Sequence, residues 1–143
     1  LPARDGRPEG DIKRSSQHPN CSYFTNWTHA EDRISWSIDV LTPGRYSAVL
    51  HDACPAADVG STVAVEFRDA RSRAQVSVAH DPPIVGAAED RVERTESYVK
   101  DFKPLTLGVI ELPQGEGQLT LAAEHLAGAQ VMEVRLLTLT RVE

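Results

Sequence analysis

The densest run of chemically useful side chains is Tyr23-Phe24-Thr25-Asn26-Trp27-Thr28. Aromatic planes flanked by amide and hydroxyl groups suit a sugar ring, which has an apolar C–H face and a hydrogen-bonding rim. The chain holds only three Phe, three Tyr and two Trp. Trp36, Tyr46 and Phe67 fall on alternating apolar positions and belong to the expected core. That leaves Tyr23, Phe24, Trp27, Tyr98 and Phe102. Tyr23, Trp27 and Tyr98 are the expected stacking residues, with Asn26 and Thr28 beside them for polar contacts. Arg91 and Arg94 lie in a charged stretch just before Tyr98 and could reach an anionic substituent. The competing expectation is that Phe24 and Trp27 close one end of the core or pack on a neighbouring domain.

Residues for bond-breaking chemistry are not grouped. No Gly-x-Ser-x-Gly, P-loop or His-Glu-x-x-His pattern occurs. Carboxylates are plentiful but scattered, as a solvated surface requires. His51-Asp52 and His80-Asp81 repeat one dipeptide, yet adjacent residues on a strand point to opposite faces. His18, His29, His51, His80 and His125 read as ordinary loop histidines. The expectation is no catalytic residue, no cofactor and no hydrolase activity in this chain alone. A calcium at the edge of the fold would need an Asp-rich run, and none specifies one.

The two cysteines, Cys21 and Cys54, form no CxxC pair and no zinc-like cluster. They are either separate thiols or one disulfide. Both are expected at strand ends, where a bridge would form in an oxidising compartment. Asn20-Cys21-Ser22 and Asn26-Trp27-Thr28 match the glycosylation triplet, a pattern frequent by chance.

The net charge is -6, from 15 Lys and Arg against 21 Asp and Glu. Such a domain repels phosphate backbones, so no nucleic-acid partner is expected. Apolar runs of a few residues exclude a membrane-spanning helix. Arg68, Arg71 and Arg73 cluster at one hairpin, and Arg91 and Arg94 in a loop, so each could form a local basic patch.

The elements that must position these residues are strands. Ile34, Trp36, Ile38 and Val40 alternate with polar residues. Thr42-Pro43-Gly44 then makes a turn, and Tyr46, Ala48 and Leu50 form a second strand. Val63, Val65 and Phe67 mark the next, and Ala74, Val76 and Val78 another. Strand character resumes from Tyr98 to Leu112, from Leu119 to Ala123, and from Val131 to Val142. Residues 81–97 form a long charged loop, with a short helical turn expected near Ala87–Arg94. The result is an all-β antiparallel β-sandwich, a jelly roll of eight or nine strands, over residues 21–143. Ile34, Trp36, Ile38, Tyr46, Leu50, Val65, Phe67, Leu107, Leu121 and Val134 should face inward. Residues 1–20 read as an extended lead-in or linker, and Leu1-Pro2-Ala3-Arg4 as sequence from within a longer protein.

Several phrases carry a resemblance: Ile34-Ser35-Trp36-Ser37-Ile38-Asp39-Val40, Pro43-Gly44-Arg45-Tyr46, Gly60-Ser61, Ser97-Tyr98-Val99-Lys100-Asp101-Phe102, Leu107-Gly108 and Leu112-Pro113-Gln114-Gly115. Over about residues 20–143 the chain resembles the carbohydrate-binding-module-like C-terminal accessory domain of bacterial arylsulfatases of the alkaline-phosphatase superfamily. The resemblance implies a parent enzyme that uses formylglycine in a separate upstream catalytic domain, and a periplasmic or secreted location. Cys54-Pro55-Ala56-Ala57-Asp58 is not the formylglycine motif, because its Pro is displaced and its Arg missing. Two roles follow. One is a non-catalytic module that binds a sulfated or neutral glycan and positions its own catalytic domain. The other is a purely structural domain that packs on that catalytic domain and stabilises it.

Overall fold

The computed structural model describes all 143 residues. Ten strands follow one another: β1 (Arg7–Glu9), β2 (Lys13–Arg14), β3 (Phe24–Thr25), β4 (Arg33–Val40), β5 (Gly44–Ala53), β6 (Thr62–Phe67), β7 (Ala70–Gln75), β8 (Lys103–Leu112), β9 (Gly115–His125) and β10 (Glu133–Val142). They form two five-stranded sheets, ordered β1-β4-β9-β6-β7 and β2-β3-β10-β5-β8. All neighbours are antiparallel. The expected sandwich is present, with ten strands in place of eight or nine.

The core follows from the period of two. One face of β4 carries Ile34, Trp36 and Val40, and one face of β5 carries Ala48 and Leu50, all buried. Val65, Phe67, Leu107, Leu121 and Val134 are buried as expected. Ile38 and Tyr46 are only partly buried and pack against the rim of the core. The expected strand through Val78 stops at Gln75, leaving Val78 exposed. The helical turn expected near Ala87–Arg94 is a hydrogen-bonded turn over residues 87–89, with no helix.

Residues 1–20 dock on the sandwich, with a short 3-10 turn at Ala3–Asp5 ahead of β1 and β2. β1 pairs with the start of β4, and β2 pairs with β3. Ala3 and Ile12 are buried. The Trp36 indole N–H donates to the Pro2 carbonyl at 3.0 Å, and Arg14 reaches the carbonyls of Ala3, Arg4 and Gly6. Backbone pairing and two small anchors hold this segment, so it shows no apolar period.

The expected Cys21–Cys54 bridge is not made, and both thiols are free. Cys54 follows β5 and points inward, its thiol aimed at the Val131 carbonyl at 3.6 Å. Cys21 sits on an exposed turn with φ 58. Burial, with Asp52 and Asp58 nearby, pushes the Cys54 thiol up to about 11. Its thiolate fraction at pH 8 is then on the order of one in a thousand. Iodoacetamide at pH 8 is therefore expected to label Cys21 in the native protein and Cys54 only after denaturation. Peptide mass mapping with and without guanidinium checks this.

A bulge at Leu107–Gly108, opposite Ala48–Val49, brings the edge of β8 against β7. Gly108 has φ +111, and the Ser72 hydroxyl, which donates to the Leu107 carbonyl at 2.6 Å, would lie 2.6 Å from an added Cβ. Gly108→Ala is expected to destabilise by about 1–3 kcal/mol, because it strains the backbone and breaks this stitch between the sheets. Urea denaturation of the variant against wild type measures it.

Candidate ligand groove

The long segment between β7 and β8 is pinned at several points. Cys54 and His80 exchange backbone hydrogen bonds, and Ile84 bridges to Lys100. The Val85 N–H donates to the Val99 carbonyl at 2.8 Å. These contacts fold residues 93–98 against Ser15, Ser16 and Tyr23. The Ser15 and Ser97 hydroxyls meet at 2.6 Å, and the Ser16 hydroxyl donates to the Thr95 carbonyl at 3.1 Å. Between the walls lies an open groove of about 270 Å³.

Tyr98 is its half-buried aromatic plane. The Tyr98 hydroxyl donates to the Asp90 carboxylate at 2.9 Å. Arg94 Nε donates to the same oxygen at 2.7 Å, and its guanidinium lies over the Tyr98 ring, 4.9 Å from the centroid. The Arg94 hydrogen bond, then the Tyr98 one, holds the Asp90 carboxyl below its ordinary value. Arg94 thus covers one face of the ring, with its charge balanced by Asp90. Glu93 and Glu96 stand on the rim.

The expected site residues divide. Tyr98, Arg94 and Tyr23 come together in the groove. Tyr23 is mostly buried and forms part of the wall. Its ring meets Phe102 edge-on at 5.3 Å, with the Lys100 ammonium 5.5 Å from its centroid. Lys100 in turn pairs with Glu133 at 2.6 Å. Trp27 is 1% exposed and belongs to the core, so it offers no stacking plane. Asn26 does not line the groove; its side-chain amide donates to the Asp11 carbonyl at 2.8 Å. Thr28 contacts the His29 ring at 3.2 Å. Arg91 is exposed and does not line the groove. The hairpin arginines are engaged too: Arg71 and Arg73 pair with Glu124, and Arg68 reaches the carbonyls of Gln114 and Glu116.

One grouping escaped the sequence reading. Asp11, His29 and Asp32 place one ligand atom each within 4.8 Å of one another. His29 Nδ1 is 3.2 Å from Asp11 and 3.8 Å from Asp32, and Asp32 accepts the Asp11 backbone N–H at 3.0 Å. An imidazole nitrogen and carboxylate oxygens are donors a divalent cation takes. Here they also tie the lead-in to the turn before β4. Asp11 lies in the polar lead-in, so no local spacing announced the grouping.

No family model matches the chain, and no curated protein does. Solved structures do. A GH26-CBM35 β-(1,4)-mannanase from Podospora anserina superposes with a TM-score of 0.66 at 14% identity, covering 100% of this chain and 27% of that one. A family 35 carbohydrate-binding module from Clostridium thermocellum superposes with a TM-score of 0.62 at 14% identity, covering 99% of this chain and 95% of that one. The chain has the fold of a family 35 carbohydrate-binding module. An Arthrobacter globiformis T6 isomalto-dextranase complexed with panose also matches, with a TM-score of 0.61 at 14% identity over 97% of this chain and 22% of its own. The chain thus spans about a quarter of the two enzymes and nearly all of the carbohydrate-binding module. No helix is long and apolar enough to cross a membrane.

Proposed function

We propose that this chain is a non-catalytic accessory domain that binds a glycan in the Tyr98 groove and positions an attached catalytic domain outside the cytoplasm. The observation that carries the reading is the groove itself: a half-exposed aromatic plane ringed by Ser15, Ser16, Thr95 and Ser97, on a sandwich that superposes on a carbohydrate-binding module along almost its whole length. A sugar needs one flat apolar surface and polar partners; Tyr98 supplies the first, and the exposed Thr95 together with the remaining acceptor capacity of Ser15 and Ser16 supplies the second. The resemblance of residues 20–143 to sulfatase accessory domains supports a formylglycine-dependent sulfatase as the parent.

Calorimetric titration of neutral and sulfated oligosaccharides against wild type and Tyr98→Ala tests the reading. Tyr98→Ala is expected to weaken binding by roughly 5- to 50-fold, the scale of one lost aromatic contact. Equal binding by the two proteins would overturn the assignment. Arg94→Ala uncovers the ring. It should strengthen neutral-sugar binding by roughly 2- to 5-fold, since an exposed cation–π contact is worth about 0.5–1 kcal/mol, and should weaken binding of a sulfated sugar.

A second reading has its own support. Ile84, Val85, Val92 and Val99 are all exposed on the long segment, Val92 to 81%. Such side chains suit packing against a neighbouring domain. If wild type binds no oligosaccharide, the structural role takes precedence.

A further inference from the structure

The hydroxyl hydrogens around the Tyr98 groove are already committed within the protein. The Tyr98 hydroxyl donates to Asp90 at 2.9 Å, and the Ser16 hydroxyl to the Thr95 carbonyl at 3.1 Å. The Ser97 hydroxyl donates to the Tyr98 carbonyl at 3.1 Å, because a carbonyl has no proton to give. In the 2.6 Å contact between Ser15 and Ser97, the donor is therefore Ser15. Ser15 in turn accepts the Tyr23 backbone N–H at 3.1 Å. These walls present oxygen lone pairs to a ligand and keep their hydrogens for themselves.

The charges are one-sided in the same sense. The lining holds one guanidinium, Arg94, and two carboxylates, Glu93 and Glu96. Arg94 is spent on Asp90, at 2.7 Å, and on the Tyr98 ring. Lys100, beside Tyr23, is spent on Glu133. Arg91 is exposed in the same segment but outside the lining. Glu93 and Glu96 are exposed and join no ion pair. An ionised carboxylate only accepts hydrogen bonds. The groove thus lacks donors and positive charge, and it lacks them beside an aromatic plane.

We propose that the glycan taken by this groove is built of amino sugars, with ammonium groups held by Glu93 and Glu96 while a ring lies on Tyr98. The inference rests on the Tyr98 reading and adds to it the sign of the ligand's charge. An ammonium brings one positive charge and three N–H donors, which meet both deficits at once. A sulfate or a uronate brings neither, since it only accepts and meets like charge. A neutral sugar donates from its hydroxyls but leaves both carboxylates uncompensated. The net charge of -6 draws any cation toward the surface, whereas the ring and the acceptor-lined walls select a sugar.

Titration calorimetry at pH 6 tests this with a glucosamine tetrasaccharide and its N-acetylated counterpart, which keeps the rings and replaces each ammonium by a neutral amide. At low salt the amino form is expected to bind roughly 3- to 10-fold more tightly, the scale of two exposed ion pairs. That ratio should fall toward one in high salt and in Glu93→Gln/Glu96→Gln, a change at two exposed side chains. Tyr98→Ala should weaken binding of the amino form. Equal, weaker or absent binding of the amino form would overturn the inference alone, as would a ratio that survives the double variant. The Tyr98 reading then stands on whichever sugar Tyr98→Ala weakens. Tetralysine binding as tightly as the amino tetrasaccharide would also overturn the inference alone, by showing that charge and not a sugar is recognised. Binding of the amino form that Tyr98→Ala leaves unchanged would overturn the inference and the Tyr98 reading together.

Discussion

Lys103→Met is expected to destabilise the protein by about 3–5 kcal/mol at neutral pH, because it leaves a buried carboxylate without its counter-charge. Asp52 lies on β5 with 0% exposure, and its Oδ1 accepts from Lys103 Nζ on the neighbouring β8 at 2.8 Å. Its Oδ2 is buried without a partner. Burial pushes the Asp52 carboxyl above its ordinary value of 3.8, and the Lys103 bond and charge oppose that push. A raised folded value means the native state favours the protonated form. Stability from this group is therefore fully present below pH 3.8, is lost as pH rises to the folded value, and changes no further above it. Without Lys103 the folded value climbs higher still. The variant's deficit should therefore be largest near pH 7 and shrink as the pH falls toward 4. Guanidinium denaturation of both proteins at pH 7 and near pH 4 measures it. A deficit equal at the two pH values would show that lost packing, not the stranded charge, is the cause. The double variant Asp52→Leu/Lys103→Met should recover much of the loss, since it removes both charges and the orphaned oxygen.

Trp27→Ala should cost about 3–5 kcal/mol, the range for emptying a buried aromatic position. That corresponds to a fall of roughly 10–20 °C in Tm for a domain of this size. Trp27 is among the largest fully buried side chains, and its backbone carbonyl accepts the Val131 N–H at 2.8 Å ahead of β10. Its indole N–H is buried without a partner. Trp27→Phe keeps most of the ring and removes that unpaired donor, so it should retain most of the stability. Trp27→Phe should also bind any glycan as wild type does, whereas a stacking role for Trp27 would make it bind more weakly. Thermal melts and one titration separate the two roles.

The sandwich was legible because a strand repeats its side-chain direction every two residues. Ile34 and Trp36 on β4, and Ala48 and Leu50 on β5, announce a buried face from local sequence alone. Thr42-Pro43-Gly44 announces the turn between them. Tyr98 and Arg94 were singled out by type and by their place beside a long loop, and both line the groove. The remainder depended on contacts distant in sequence. β3 has two residues, too few to display a period, so the burial of Trp27 rests on what covers it. Residues 1–20 dock through backbone pairing to β4 and β3, which any polar sequence can make, and two small apolar anchors do not form a pattern. The groove closes by a hydroxyl contact between Ser15 and Ser97, 82 residues apart. Which faces of β4 and β5 turn inward is a local, periodic property, so it can be read along the chain. Which aromatic ring stays accessible is a tertiary matter, because distant segments arrive to cover Trp27 and leave Tyr98 half-buried.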